Sequence, residues 1–153
     1  MKPIYLLMIS LFLLNACASR QIVDPIHQDT IPDTIIPITG PNFNFTAVNN
    51  YMNAPDKDVR VFYRIFINKE EYGRTTTGLQ SQRKIFEASL PENRHLLRVE
   101  KWVLNNDEYI RANNILQPRP DFVYFDVVAN RITNVVLSVN NNGQYEFSVE
   151  IDR

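Results

Sequence analysis

The sequence predicts an all-β fold, a small antiparallel β-sandwich of about seven to nine strands behind an N-terminal leader and a proline-rich tether. Residues 144–151, "QYEFSVEI", alternate apolar and polar side chains, the period of a strand with one buried face. Similar short runs recur from residue 43 onward and are separated by turn residues. No long window has the 3.6-residue period of a helix.

The leader consists of Lys2, the apolar run "IYLLMISLFLL" at residues 4–14, and then Asn15 and Ala16. A cationic start, a short apolar run and a small residue before a break are typical of a secretory signal peptide. The run is too short to cross a bilayer, since a spanning helix needs about 20 apolar residues. We therefore predict that residues 1–16 form a signal peptide.

The end of the leader, Leu14-Asn15-Ala16-Cys17, resembles the lipobox of bacterial lipoproteins, and Cys17 is the only cysteine of the chain. The resemblance implies cleavage between Ala16 and Cys17 and lipidation of the Cys17 thiol, because a thiolate is the nucleophile that takes the diacylglycerol. It also implies a mature chain without disulfides. Ala18 and Ser19 stand where many lipoproteins carry the aspartate that retains them in the inner membrane, which implies the outer membrane of a bacterial cell envelope. The alternative is a soluble secreted protein with a free cysteine.

Residues 17–41 are predicted to form a tether. Prolines recur along it, at Pro25, Pro32, Pro37 and Pro41. Proline removes donors for sheet pairing and blocks helices, which favours an extended chain. At about 3.1 Å per residue, such a spacer would reach on the order of 70 Å. The isoleucines of this segment support a second interpretation, in which its last part docks on the domain as an edge strand.

The domain is predicted to span residues 42–153. Its predicted strands lie at 43–48, 59–68, 70–77, 82–89, 94–104, 107–112, 121–128, 131–139 and 144–151. One face of the strand at 59–68 carries apolar side chains only: Val59, Val61, Tyr63, Ile65 and Ile67. The last strand has its own apolar face, formed by Tyr145, Phe147, Val149 and Ile151. Between the last two strands, Asn142 and Gly143 predict a tight hairpin with positive φ at both positions.

Two segments, "VFYRIFINKEEYGRTTTG" (61–78) and "LPENRHLLRVEKWVL" (90–104), resemble PEGA-type domains and related transthyretin-like small sandwiches. In these domains a glycine precedes threonine after a strand, and a leucine-proline turn later leads through a histidine into another strand. Gly73, Leu90-Pro91 and His95 occupy those places, whereas the eponymous tetrapeptide is absent. The resemblance implies an interaction or spacer module of the envelope rather than an enzyme.

The polar residues predict no catalytic, metal or cofactor site. The chain has 17 acidic and 16 basic residues, which gives no reason to expect a nucleic-acid partner. The two histidines, His27 in the tether and His95 at a strand end, are too few for a zinc site once Cys17 is acylated. Nothing in the local sequence places a serine beside His95. We predict that the protein is not an enzyme.

The second face of the strand at 59–68 combines arginine with aromatic residues. We call the set Arg60, Phe62, Arg64, Phe66 and, from the strand at 94–104, Trp102 the arginine–aromatic face. Arginine and aromatic side chains are enriched in protein interfaces, so this face is a candidate interface. The interpretation favoured by the sequence has it covered by the second sheet, with the arginines at the margin.

Taken together, the leader, the tether and the domain predict a membrane-anchored envelope lipoprotein. Its N-terminal lipid would bind the membrane, and its β-sandwich would serve as a binding or assembly module with a protein partner in the cell envelope. Two alternatives stay open: a structural spacer subunit of an envelope complex, and a surface-exposed, adhesin-like lipoprotein.

Overall fold

Alternating apolar and polar side chains form ten strands in the computed structural model, which describes residues 39–50 and 57–152. The strands are β1 (Phe43–Asn49), β2 (Arg60–Ile67), β3 (Glu70–Arg74), β4 (Gly78–Leu79), β5 (Lys84–Ala88), β6 (Asn93–Asn105), β7 (Glu108–Arg111), β8 (Phe122–Val127), β9 (Thr133–Val139) and β10 (Tyr145–Ile151). The predicted all-β, sandwich-like fold is confirmed, and a strand lies at each predicted position. Only the two-residue β4 has no counterpart among the predicted strands, because so short a run shows no alternation.

The strands form two sheets. The four-stranded sheet has the order β10-β9-β1-β5, and the six-stranded sheet follows β3-β2-β6-β7, with β4 beside β2 and β8 beside β6. Because β6 is 13 residues long, its first half pairs with β8 and its second half with β7 along the same edge. All pairings are antiparallel except that of β1 with β9, which is parallel.

The core lies between the two sheets and is built from alternate residues of the central strands. Phe43 and Phe45 of β1 are fully buried, and they face Tyr63 and Ile65 of β2 within one apolar cluster. Phe43 also stacks on Phe125 of β8, with 4.7 Å between the ring centroids. The odd-numbered face of β2 therefore points toward the four-stranded sheet.

The last strand is buried less than its pattern predicts. Tyr145 and Phe147 pack against the core, but Val149 and Ile151 are partly exposed. The physical reason is position: β10 is the edge strand of its sheet, so solvent reaches both sides of its second half.

Two hairpins use asparagine in the left-handed backbone region. Asn68-Lys69 joins β2 to β3 and Asn106-Asp107 joins β6 to β7, with positive φ at both residues of each pair, as type I′ turns require. The predicted turn at Asn142-Gly143 is wrong in this detail, since only Gly143 has positive φ. There the Asn140 side chain accepts hydrogen bonds from the Asn142 and Gln144 backbone amides, which closes a longer loop.

Several predictions fall on residues that the structure does not describe. The signal peptide (1–16), the cleavage site between Ala16 and Cys17, the lipidation site at Cys17 and the tether as far as residue 38 all lie outside the described residues. Within 39–50 and 57–152, no helix is long and apolar enough to cross a membrane.

Candidate functional site

The arginine–aromatic face lies on the outer side of the six-stranded sheet. Tyr63 and Ile65 of β2 point toward the second sheet, so Phe62, Arg64 and Phe66 point away from it, because successive side chains of a strand face opposite sides. The interpretation favoured by the sequence, in which the second sheet covers this face, is therefore wrong. The apolar-only face of β2 is the one that points inward, and the aromatic residues of the other face made that face look covered as well.

The register of β2, β6 and β7 brings most of the predicted residues together. Phe62 lies opposite Trp102, Phe66 lies opposite Arg98, and Arg64 lies opposite Glu100. Directly opposed side chains in an antiparallel pair are neighbours on one face. Arg60, the fifth predicted residue, is exposed at the start of β2 and pairs with Leu79 of β4.

Neighbouring side chains of the same face bury Phe62, although no second layer of backbone covers it. Its ring lies parallel to that of Trp102, at 6.1 Å between centroids, and meets Tyr109 edge-on at 5.0 Å. The guanidinium of Arg74 lies 5.4 Å over Phe62, and that of Arg64 lies 4.3 Å over Trp102. Phe62 is consequently only 4% exposed. Arginine planes on aromatic rings take the place of a covering sheet.

The same face continues across β6 onto β8, where the aromatic rings are open to solvent. Arg98 lies 4.4 Å over the Phe66 ring, and Arg94 lies 5.2 Å over Tyr124. Phe122 and Tyr124 are 51% and 55% exposed. The interpretation of the sequence did not include these two residues in the face. The available signal was the alternation in "FVYFDV", which puts them on one side of β8.

The outer face of this sheet is cationic. Its arginines, namely Arg60, Arg64, Arg74, Arg94, Arg98 and Arg111, outnumber its carboxylates, namely Glu71, Glu100 and Asp126. The buried Glu100 carboxylate binds two of them, with one oxygen 3.0 Å from Arg98 and 3.4 Å from Arg111. Glu71 lies 3.6 Å from Arg64. After these pairings, positive charge is left over.

Trp102 carries an unmet hydrogen-bonding group on this face. Its indole Nε1 is the one buried side-chain nitrogen or oxygen without a hydrogen-bond partner in the described part of the chain. A buried donor without an acceptor costs about 1–3 kcal/mol. The group therefore opposes folding and needs an explanation beyond packing.

A second candidate site lies between the ends of the two sheets. This end cleft, of about 440 Å³, is lined by Lys57, Val59, Lys101, Val103, Leu116 and Tyr145, among others. Its walls thus come from both sheets and from the loop that follows β7. A cavity of this volume is within the range of small-molecule sites.

Lys101 is the unusual residue of the end cleft. It belongs to the inward face of β6 and is only 3% exposed. Its ammonium donates hydrogen bonds to Gln80 Oε1 (3.0 Å) and to the Tyr145 hydroxyl (3.2 Å), both neutral. Burial lowers the pKa of Lys101 to about 8. Among the described residues, no carboxylate forms an ion pair with it.

The interpretation of the sequence missed Lys101, although a signal was present. Lys101 shares its parity with Val99 and Val103 in β6, so an inward position was predictable. Its backbone is held by Gln117, whose side-chain oxygen accepts from the Lys101 amide at 3.0 Å. The lysine therefore has a fixed position.

His95 has a structural role. Its Nδ1 accepts a hydrogen bond from the Asn68 amide (2.9 Å), and its Nε2 donates to the Pro91 carbonyl (2.8 Å). The ring is buried and stacks on Phe125. Both nitrogens are occupied, so the imidazole is not placed to act as a general base. In the described ranges, no group of three or more His, Cys, Asp or Glu residues could hold a metal ion.

Two sites thus stand out on geometric grounds: the cationic, aromatic outer face of the six-stranded sheet and the end cleft around Lys101. Comparison of the chain with protein-family models, with curated proteins and with solved structures finds no match.

Proposed function

We propose that this protein is a lipid-anchored lipoprotein of the bacterial cell envelope whose β-sandwich binds an acidic surface of a protein partner. The observation that carries the proposal is the outer position of the arginine–aromatic face. Arginines and aromatic rings interleave there without a covering layer, and Phe122 and Tyr124 extend the face as exposed rings.

The chemistry of the face favours a protein partner with carboxylates. Arginine, tryptophan, tyrosine and phenylalanine are the residues that dominate binding energy in protein interfaces. A guanidinium can bind a carboxylate through two parallel hydrogen bonds while its plane stays on an aromatic ring. The surplus of arginines over carboxylates gives the electrostatic preference for an acidic surface.

The unmet Trp102 donor supports the same conclusion. Arg64 covers the Trp102 ring, and it also pairs with the exposed Glu71. Both contacts are partly solvated, so they are weak enough to rearrange when a partner arrives. A partner carboxylate that paired with Arg64 and also reached the Trp102 indole would accept a hydrogen bond from its N–H, which would explain why the fold keeps an unpaired donor at this position.

The sequence of the leader supports the membrane anchor. The lipobox-like Leu14-Asn15-Ala16-Cys17 and the proline-rich tether would hold the domain on a spacer with a reach on the order of 70 Å. Several acyl chains on Cys17 would hold it far more firmly than a single chain can. The absence of an aspartate after Cys17 favours the outer membrane, and the PEGA-like pattern favours an interaction module.

Purification of the full, lipid-modified chain from detergent-solubilised envelope tests the proposal. We expect a stoichiometric protein partner that is lost when Phe122→Ser and Tyr124→Ser are combined. Both side chains are more than half exposed, so the domain should keep its fold. The matched control combines Ile85→Ser and Val149→Ser, two exposed apolar residues of the four-stranded sheet, and should retain the partner.

The outcomes separate the alternatives. If the wild-type chain has no stoichiometric partner in the envelope, a spacer without a ligand is favoured. If it instead binds molecules from outside the cell, the adhesin-like function is favoured. If the Phe122 and Tyr124 variant keeps the partner as well as the control does, the arginine–aromatic face is not the interface.

A further inference from the structure

We propose that the end cleft binds the carboxylate of a small amphipathic molecule, with the Lys101 ammonium as counter-ion and the apolar walls around the hydrocarbon part. This site is separate from the arginine–aromatic face, since Lys101 and Trp102 are successive residues on opposite sides of β6. The inference is therefore independent of the proposed protein partner.

The first step is the uncompensated charge. A lysine is rarely buried to this degree without a carboxylate partner, because a charge removed from water needs compensation. Lys101 has only neutral acceptors at hydrogen-bond distance, Gln80 Oε1 and the Tyr145 hydroxyl. Among the described residues that line the cleft there is no acid, and Lys57 adds a second cation. An anion from outside the chain would supply the missing charge.

The second step is the geometry of the donors. The Tyr145 hydroxyl accepts a hydrogen bond from the Lys101 ammonium at 3.2 Å, so it can donate its own proton to a ligand. An ammonium and a hydroxyl side by side match the two oxygens of one carboxylate. A phosphate generally needs more donors than this, such as a helix N-terminus or a glycine-rich loop. The chemistry therefore favours a monocarboxylate.

The third step is the character of the walls. Val59, Val103 and Leu116 line the cleft, and Leu116 is one of the exposed large apolar residues of the domain. Ile115, which also lines it, is 88% exposed. Such exposed apolar side chains at the mouth of a cleft indicate a ligand with an apolar part. The volume of about 440 Å³ fits a small molecule rather than a polymer.

Binding of octanoate, with octanol as the neutral matched probe, tests this site on the full chain. We expect octanoate to bind at least about tenfold more tightly than octanol near neutral pH, as measured by calorimetry. Lys101→Met should reduce the affinity for octanoate to that for octanol. Lys69→Met removes an equal charge from the exposed β2–β3 turn and should change the affinity less than about twofold.

A second measurement needs no variant and decides the question if Lys101→Met does not fold. Octanoate keeps its charge above neutral pH, whereas Lys101 loses its proton. The affinity for octanoate should therefore fall as the pH is raised past the pKa of Lys101, and the affinity for octanol should not change. Equal affinities for the two probes at every pH, unchanged octanoate binding by Lys101→Met, or no octanoate binding at millimolar concentrations would each overturn the proposal.

Discussion

Replacement of Lys101 by methionine should make the domain more stable at neutral pH. Methionine is unbranched and apolar, so it can follow the path of the lysine stem without carrying charge into the interior. Burial lowers the pKa of Lys101 from its ordinary value of 10.5 to about 8. At about 1.4 kcal/mol per pKa unit, a charged Lys101 destabilises the folded state by on the order of 3 kcal/mol. Loss of the hydrogen bonds to Gln80 and Tyr145 offsets part of this gain, so we expect a net gain of about 1–3 kcal/mol.

The pH dependence of this gain identifies its cause. Below about pH 8, Lys101 is protonated in both the folded and the unfolded chain, and the wild type carries the full penalty. Between about 8 and 10.5, the folded chain gives up the proton while the unfolded chain keeps it, so the stability of the wild type rises with pH. The advantage of Lys101→Met should therefore be largest below about pH 8 and should shrink as the pH approaches 10.5.

Urea unfolding near neutral pH and again at a pH between the two pKa values measures both quantities. Lys69→Met, which removes an exposed charge, is the control and should change the free energy of unfolding by less than about 0.5 kcal/mol. A Lys101→Met variant that is less stable than the wild type near neutral pH would refute the reasoning. So would a stability difference that stays constant between the two pH values.

The remaining predictions concern the proposed anchor at Cys17, the rings of Phe62 and Phe66, and the buried His95. Cys17→Ser should abolish labelling by radioactive palmitate and leave an uncleaved or soluble precursor. A labelled Cys17→Ser variant, or an unlabelled wild type, would contradict the proposed lipid anchor. Phe62→Ala should lower the free energy of unfolding, measured in urea, by about 3 kcal/mol. Phe66→Ala, at a half-buried position, should lower it by less than half as much. Equal losses would contradict the burial of Phe62 by the rings of Trp102 and Tyr109. His95→Ala should lower stability by about 2–4 kcal/mol because it removes two hydrogen bonds and a stacked ring. Its circular dichroism should stay that of a folded β domain, and an unchanged urea midpoint would refute the structural role.

Local alternation was sufficient to predict the strands but not their pairing. The runs at 59–68 and 144–151 coincide with β2 and β10 because the period of two is a property of each strand alone. The parallel pairing of β1 with β9 depends on residues that are far apart in sequence, and no local pattern encodes it. The same holds for the exposure of Val149, which depends on the edge position of β10.

The two candidate sites were predictable to different degrees. The arginine–aromatic face was visible in the sequence as the even-numbered residues of β2. Its burial, however, depends on rings from β6 and β7, and only the register of the strands places these rings beside it. Phe62 therefore looked like a residue between sheets. Lys101 was hidden because it directly follows Glu100 and looks like half of a solvent-facing charged pair. Only its alternation with Val99 and Val103 indicated an inward position.

The central place of β1 in its sheet determines how the domain responds to mechanical load. The chain enters the described domain only a few residues before β1, and β1 is paired on one side with β9 and on the other with β5. A pull applied to the first residue of β1 along the strand axis would load the hydrogen bonds to both neighbours in shear. They must break together rather than one after another, as they would if an edge strand were peeled away. Against such a load β1 is therefore held more firmly than an edge strand such as β10.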